Sequence, residues 1–295
     1  MFKMKGVIPP MITPFKENGE VDFSAIKVLV DFLKDRVDGL FITGSYGAGA
    51  MMTEEERKKV TEIVLHEVDG KIPVIAMVGT ADTQSTMRLA EHAAKSGINA
   101  ISAIAPYYFK HGGDEICSFY SDIVQTAKYT PVYVYNNPQF QGYGMDIELL
   151  KRLKAEAGVS GIKDATFNIM DHATYQRILR DESFDVALGT EALWLPARVL
   201  GCEAFIPGLG NAFPEICRKM YMEGMTGRYD ECRETQFKVN EIREIMYLAR
   251  STQLAIYAML EIRDIVRCYP RAPFIAATEN EKKAIKQRLK EMNLV

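Results

Sequence analysis

Pro131-Val132-Tyr133-Val134-Tyr135-Asn136-Asn137-Pro138, then Asp146-Ile147-Glu148-Leu149-Leu150, then Ser160-Gly161-Ile162-Lys163-Asp164 form one unit of the chain. The first and third pieces are short apolar runs rich in β-formers. The middle piece opens a segment of helical period. Asp146 reads as its N-cap, with the side-chain carboxylate accepting from free N–H groups of the first turn. A strand, a helix and a strand in that order imply parallel pairing through a right-handed crossover.

The unit recurs in both directions. Eight β-rich runs appear: Gly6–Ile12, Gly39–Thr43, Pro73–Val78, Ala100–Ala105, Pro131–Tyr135, Ser160–Ile162, Asp185–Leu188 and Ala204–Ile206. Helical segments start after Asp22 and at the capping box Thr53-Glu54-Glu55-Glu56. Eight such units in roughly 220 residues predict a (β/α)8 TIM barrel. The alternative is an open doubly wound sheet, which usually follows its first strand with G-x-G-x-x-G. This chain has Pro9-Pro10-Met11-Ile12-Thr13-Pro14 there. After Met225 three helical segments follow without strands, the last boxed by Thr278 and Glu281. The expected division is a catalytic barrel over 1–224 and a helical extension over 225–295, the latter serving structure or oligomerisation.

Bulk numbers narrow the function. Of 295 residues, 36 are Lys or Arg and 39 Asp or Glu, a net charge of −3. That balance offers no general attraction for nucleic acid or an anionic membrane. The first residues lack the apolar stretch of a signal peptide, and no apolar run is long enough to span a bilayer. A soluble, cytoplasmic protein is expected. The five cysteines are widely spaced with no C-x-x-C pair, which argues against a zinc site or a disulfide framework. No carboxylate or histidine cluster suggests a metal, and no phosphate-loop motif suggests a nucleotide.

In a barrel the reactive face is the C-terminal end of the strands. Lys163 ends the sixth run, and desolvation there would supply the neutral amine that attacks carbonyls. An ion pair with Asp164 is the competing reading, although adjacent strand residues point to opposite faces. Tyr135 ends the fifth run as a core aromatic or as a proton shuttle. Gly44-Ser45-Tyr46-Gly47-Ala48-Gly49 follows the second run as a plain tight loop or as a nest of N–H groups for a carboxylate. Tyr107-Tyr108 and Gly189-Thr190-Glu191 fall on the same rim, and His111 and His172 near it.

Taken in order, Gly44-Ser45-Tyr46-Gly47, Pro106-Tyr107-Tyr108, Tyr135-Asn136-Asn137-Pro138, Gly161-Ile162-Lys163 and Gly189 resemble the dihydrodipicolinate synthase / N-acetylneuraminate lyase family of pyruvate-dependent class I aldolases, over the whole chain. The resemblance implies that Lys163 forms a Schiff base with pyruvate and that Tyr135 shuttles protons. It implies that Ser45 relays between Tyr135 and a second tyrosine, Tyr108, from a neighbouring subunit of a homotetramer. It implies that Ser45 and Tyr46 amides hold the pyruvate carboxylate, that Gly189 and Ile206 line the pocket, and that no metal or dissociable cofactor is needed.

The departures bear on substrate. The family turn usually reads Gly-Thr-Thr-Gly-Glu, against Tyr46 and Ala48 here. Phe140 stands where dihydrodipicolinate synthases carry an arginine for the aldehyde's carboxylate, and a phenyl ring cannot replace a guanidinium. The Tyr269-Pro270-Arg271-Ala272-Pro273 segment, together with the rim motifs, looks most similar to the 2-keto-3-deoxygluconate aldolase branch, with Glu191 meeting a distal hydroxyl. A 2-keto-3-deoxy sugar acid cleaved to pyruvate and an aldehyde is the expected substrate. Dihydrodipicolinate synthase or hydratase-aldolase activity, a barrel isomerase or pyridoxal-phosphate enzyme using the same lysine, and a non-catalytic keto-acid-binding protein are the alternatives.

Overall fold

The computed structural model describes residues 2–295. The first half runs β1 (Gly6–Val7), α1 (Phe23–Leu33), β2 (Leu40–Ile42), α2 (Glu54–Val68), β3 (Val74–Met77), α3 (Thr83–Lys95), β4 (Ala100–Ile104) and α4 (Gly113–Ala127). The second half runs β5 (Val132–Asn136), α5 (Pro138–Gln141), α6 (Ile147–Arg152), β6 (Gly161–Asp164), α7 (Ile169–Ile178), β7 (Asp185–Leu188), α8 (Trp194–Val199), β8 (Ala204–Phe205) and α9 (Pro214–Met225). Three more helices follow: α10 (Tyr229–Met246), α11 (Thr252–Ile262) and α12 (Glu279–Glu291).

The eight strands are parallel, and neighbours in sequence are neighbours in space from β2 round to β8 and back to β1. The β1 ladder is short because Pro9 and Pro10 have no N–H to donate. Closure onto β2 uses what remains. Asp38 N–H donates to the Val7 carbonyl, Phe41 N–H to the Pro9 carbonyl and Met11 N–H to the Phe41 carbonyl, at 2.9, 3.0 and 2.9 Å. The result is the (β/α)8 barrel.

Strand alternation sorts side chains into two layers. Ile8, Phe41, Ile75, Met77, Tyr133 and Tyr135 face the barrel interior. Val7, Leu40, Ile42, Val134, Ile162 and Val186 face the helices. Large and small residues mesh inside: a Cβ added at Gly161 would lie 2.5 Å from the Tyr133 ring, so only glycine fits there.

The helix starts read from sequence form as expected. Asp22 caps α1 and Asp146 caps α6, while Thr53–Glu56 and Thr278–Glu281 make reciprocal capping boxes on α2 and α12. The extension helices share one apolar core with the barrel, through Val239, Ile242, Leu254, Met259, Ile285 and Leu289. Residue 224 lies within α9, and this core runs across that point. No described helix is long and apolar enough to cross a membrane. All five cysteines are buried and unpaired.

Candidate active site

Lys163 and Tyr135 are register partners on β6 and β5, so their side chains leave neighbouring strands on the same, inward face. Lys163 is 3% exposed. Its Nζ lies 3.8 Å from the Phe41 ring centroid and 3.9 Å from that of Tyr135. Desolvation alone pulls its pKa down to about 7. Asp164 points the other way, as alternation demands. Its carboxylate accepts from Thr166 and lies 2.9 Å from His172 Nδ1, fully buried behind the barrel wall. The sequence put His172 near the rim; the structure puts it under β6 as the partner of Asp164. The ion-pair alternative for Lys163 is thereby spent, because the carboxylate serves His172.

The Tyr135 hydroxyl receives an N–H from Asn137 Nδ2 at 3.0 Å and sits 3.3 Å from Ser45 Oγ. Burial pushes the phenol's pKa up, while the Ser45 and Asn137 hydrogen bonds pull it down. Either oxygen of the Tyr135–Ser45 pair can donate in this contact. Ser45 thus lies against the Tyr135 hydroxyl.

The rest of the rim is distributed around this pair. Ile206 is buried in the interior layer beside Ala187 and Tyr135. Gly189 brings its N–H to 2.6 Å from the Asp164 carbonyl, where a Cβ would collide with that oxygen. Phe140, in the one-turn helix α5, is 53% exposed. Tyr108 is 88% exposed with φ +83°, and its ring packs edge-on against Phe109. Within one chain it does not reach Tyr135.

Tyr46 donates its hydroxyl to Thr252 Oγ1 at 2.7 Å, with the ring against Gly208. Burial, then the Glu191 charge, raises its pKa. Glu191 is itself committed inside the fold. One oxygen accepts from the Gly208 N–H at 2.9 Å, and the other pairs with Arg243 of α10. The expected contact of Glu191 with a substrate hydroxyl therefore competes with these two partners. The Glu191 charge, first among the causes, raises the Arg243 pKa.

Residues that sequence reasoning passed over carry much of this geometry. Phe41 was legible as the inward member of Leu40-Phe41-Ile42. Asn137 lay inside a quoted motif. Arg243, Thr252 and Gln253 had no local signal, since the extension read as a structural addition. In the structure α10 and α11 touch the β2 and β7 loops, with Arg243 paired to Glu191, Thr252 accepting from Tyr46, and Gln253 Nε2 donating to the Tyr46 carbonyl at 2.9 Å. Among the described residues no cluster of three His, Cys, Asp or Glu could hold a metal.

A barrel that presents a dry amine, a phenol beside a hydroxyl and a glycine-rich turn on one rim is built as a class I aldolase, a carbon–carbon lyase. The model of the dihydrodipicolinate synthetase family matches residues 3–292, and the chain belongs to that family. The 4-hydroxy-tetrahydrodipicolinate synthase of Archaeoglobus fulgidus is 28% identical, covering 99% of each chain. The N-acetylneuraminate lyase of Mediterraneibacter gnavus is 29% identical over 97% of this chain and 91% of its own. A solved Ruminococcus gnavus sialic acid aldolase, a catalytic lysine mutant, superposes with a TM-score of 0.93 at 26% identity, covering 99% of this chain and 98% of its own.

Proposed function

We propose that this chain makes or breaks a carbon–carbon bond next to pyruvate through an imine on Lys163, acting on a 2-keto-3-deoxy sugar acid. The observation that carries the reading is the buried Lys163 amine, held between two rings with its pKa near 7. The neutral amine attacks the C2 ketone, and loss of water leaves an iminium. That iminium draws electrons from the C3–C4 bond. In cleavage the C4 hydroxyl gives up its proton to the Tyr135–Ser45 pair, the aldehyde departs and the enamine remains. Protonation at C3 and hydrolysis of the imine release pyruvate and regenerate the amine. In synthesis the enamine attacks an aldehyde instead.

Tyr108 has a role only if a second copy supplies it, and its exposure on a rim loop supports a tetramer in which subunits exchange this residue. The absence of an arginine at Phe140 weighs against a charged amino-acid semialdehyde. A second reading, an aldehyde with an apolar or aromatic end, draws support from Phe140 in α5 and Phe167 in the loop after β6, both half-exposed.

Borohydride reduction in the presence of pyruvate, followed by peptide mapping, tests the mechanism. The expected adduct lies on the Lys163 peptide; pyruvate binding without that adduct sinks the proposal. A panel of 2-keto-3-deoxy acids and of aldehydes with pyruvate, read by product mass, tests the substrate.

A further inference from the structure

Two anomalies meet at one carbonyl oxygen behind the site. The first is Arg57 on α2, which is 4% exposed yet makes no ion pair within the described residues. The nearby carboxylates are engaged elsewhere: Glu54 with Arg88, and Glu56 with Arg271 and the Thr53 N–H. The Arg57 guanidinium donates to backbone carbonyls at the end of β3, from Nη2 to Met77 at 2.5 Å and from Nη1 to Gly79 at 3.4 Å, and its Nε has no partner. Desolvation lowers its pKa to about 10, so it stays charged at neutral pH. A buried cation without a counter-ion is costly, and its hydrogen bonds go to one short stretch, the Met77 and Gly79 carbonyls and the Met77 sulfur at 3.9 Å.

The second anomaly is Thr43, a β-branched residue at φ +54°. That left-handed conformation is strained for such a side chain and persists only where the surroundings hold it. Thr43 Oγ1 has two carbonyl acceptors at 2.8 Å, its neighbour Ile42 and Met77, the latter being the same oxygen that Arg57 holds. Gly47 and Gly49 press close on the Thr43 backbone, where a Cβ at Gly49 would lie 1.9 Å from the Thr43 oxygen. Thr43 is two residues before Ser45, whose Oγ faces the Tyr135 hydroxyl.

We propose that Arg57 is a positioning residue for the reaction: it fixes the Met77 carbonyl, which anchors Thr43 in its left-handed conformation and so aims Ser45 Oγ at Tyr135. The proposal rests on the reading that Tyr135 and Ser45 move protons for an imine on Lys163. Arg57 is not part of the α2 cap, which Thr53 and Glu56 already supply. Two carbonyls spaced along one strand end match the two-armed donor geometry of a guanidinium.

The test needs no aldehyde. Exchange of the pyruvate methyl protons for deuterium in D2O, followed by NMR, reads enamine formation, and borohydride trapping counts imine-competent sites. Turnover is expressed per trapped site. Arg57→Met and Thr43→Val should each lower exchange per site about tenfold or more, part of what positioned proton transfer contributes. Arg57→Lys, which keeps one donor, should recover part of the loss. The double variant should be no worse than the weaker single one, because both act on one carbonyl. Thr43→Val keeps the side-chain shape and serves if Arg57→Met does not fold. Unchanged exchange per trapped site in the folded variants, or additive losses in the double variant, overturns the proposal while leaving the pyruvate reading intact. No trapping on Lys163 in the unaltered chain overturns both.

Discussion

Replacing Lys163 by methionine should make the protein more stable, and by an amount that depends on pH. The amine's pKa falls from 10.5 to about 7 through burial alone. Each tenfold step in the acid equilibrium is about 1.4 kcal/mol, so that displacement corresponds to about 5 kcal/mol. The sign follows from proton counts. Between pH 7 and 10.5 the unfolded chain holds a proton on this lysine that the folded chain has released, so folding stability rises with pH in that window. Below pH 7 both states are protonated and the folded state carries the whole desolvation penalty. Lys163→Met removes the penalty, with a gain of up to about 5 kcal/mol at pH 6 that shrinks toward zero above pH 10. Urea denaturation of both proteins at pH 6, 7, 8 and 9 measures it, because other titrating groups cancel in the difference. The same displacement leaves about half of the amine neutral at pH 7, against roughly one part in three thousand for an ordinary lysine. The trapping rate with pyruvate should therefore rise with pH to a plateau with its midpoint near 7. A stability difference that is flat from pH 6 to 9, or a trapping midpoint near 10, would refute the claim that a dry environment activates Lys163.

Tyr135→Phe keeps the ring beside Lys163 and removes the phenol; imine trapping should persist while methyl exchange falls about 10²–10⁴-fold, measured by NMR. Arg243→Met leaves the Glu191 carboxylate buried without its partner and should cost about 3–5 kcal/mol in denaturant melts, most of it recovered when Glu191→Gln is added. Gly208→Ala brings a methyl within 2.6 Å of Tyr46 ring atoms; it should depress activity and stability until Tyr46→Thr makes room, a rescue read by paired thermal melts and product assays.

The barrel was legible in the sequence because its evidence is local and repeated. Each strand is a short apolar run, and caps such as Asp146 and Thr53 announce helices by their own side chains. Lys163 and Tyr135 were legible for the same reason: each ends a run, and the rim is where run ends gather. The first run shows the limit. Gly6–Ile12 read as one strand, but only Gly6 and Val7 form regular ladder, since the two prolines cannot donate. The wall formed by Arg243, Thr252 and Gln253 was not legible. Those contacts join residues far apart in the chain, and nothing near Arg243 in sequence marks it as a partner for Glu191. Tyr46 illustrates the mixed case. Its oddity was plain in the turn, but the direction of its ring depends on Gly208 and Thr252, which only the folded chain brings to it.

The closure of the barrel has one more consequence. The seam between β1 and β2 runs through the peptide of Phe41, the residue whose ring shields Lys163. The backbone that closes the barrel thus also places the ring that covers the amine. The chain reinforces the spot with side chains where prolines have thinned the ladder. Asn211 bridges the Ile12 N–H and the Pro10 carbonyl at 3.0 Å each, and Thr13 Oγ1 donates to the Gly47 carbonyl at 2.6 Å. These stitches tie a distant asparagine into the same seam whose Phe41 ring covers the Lys163 amine.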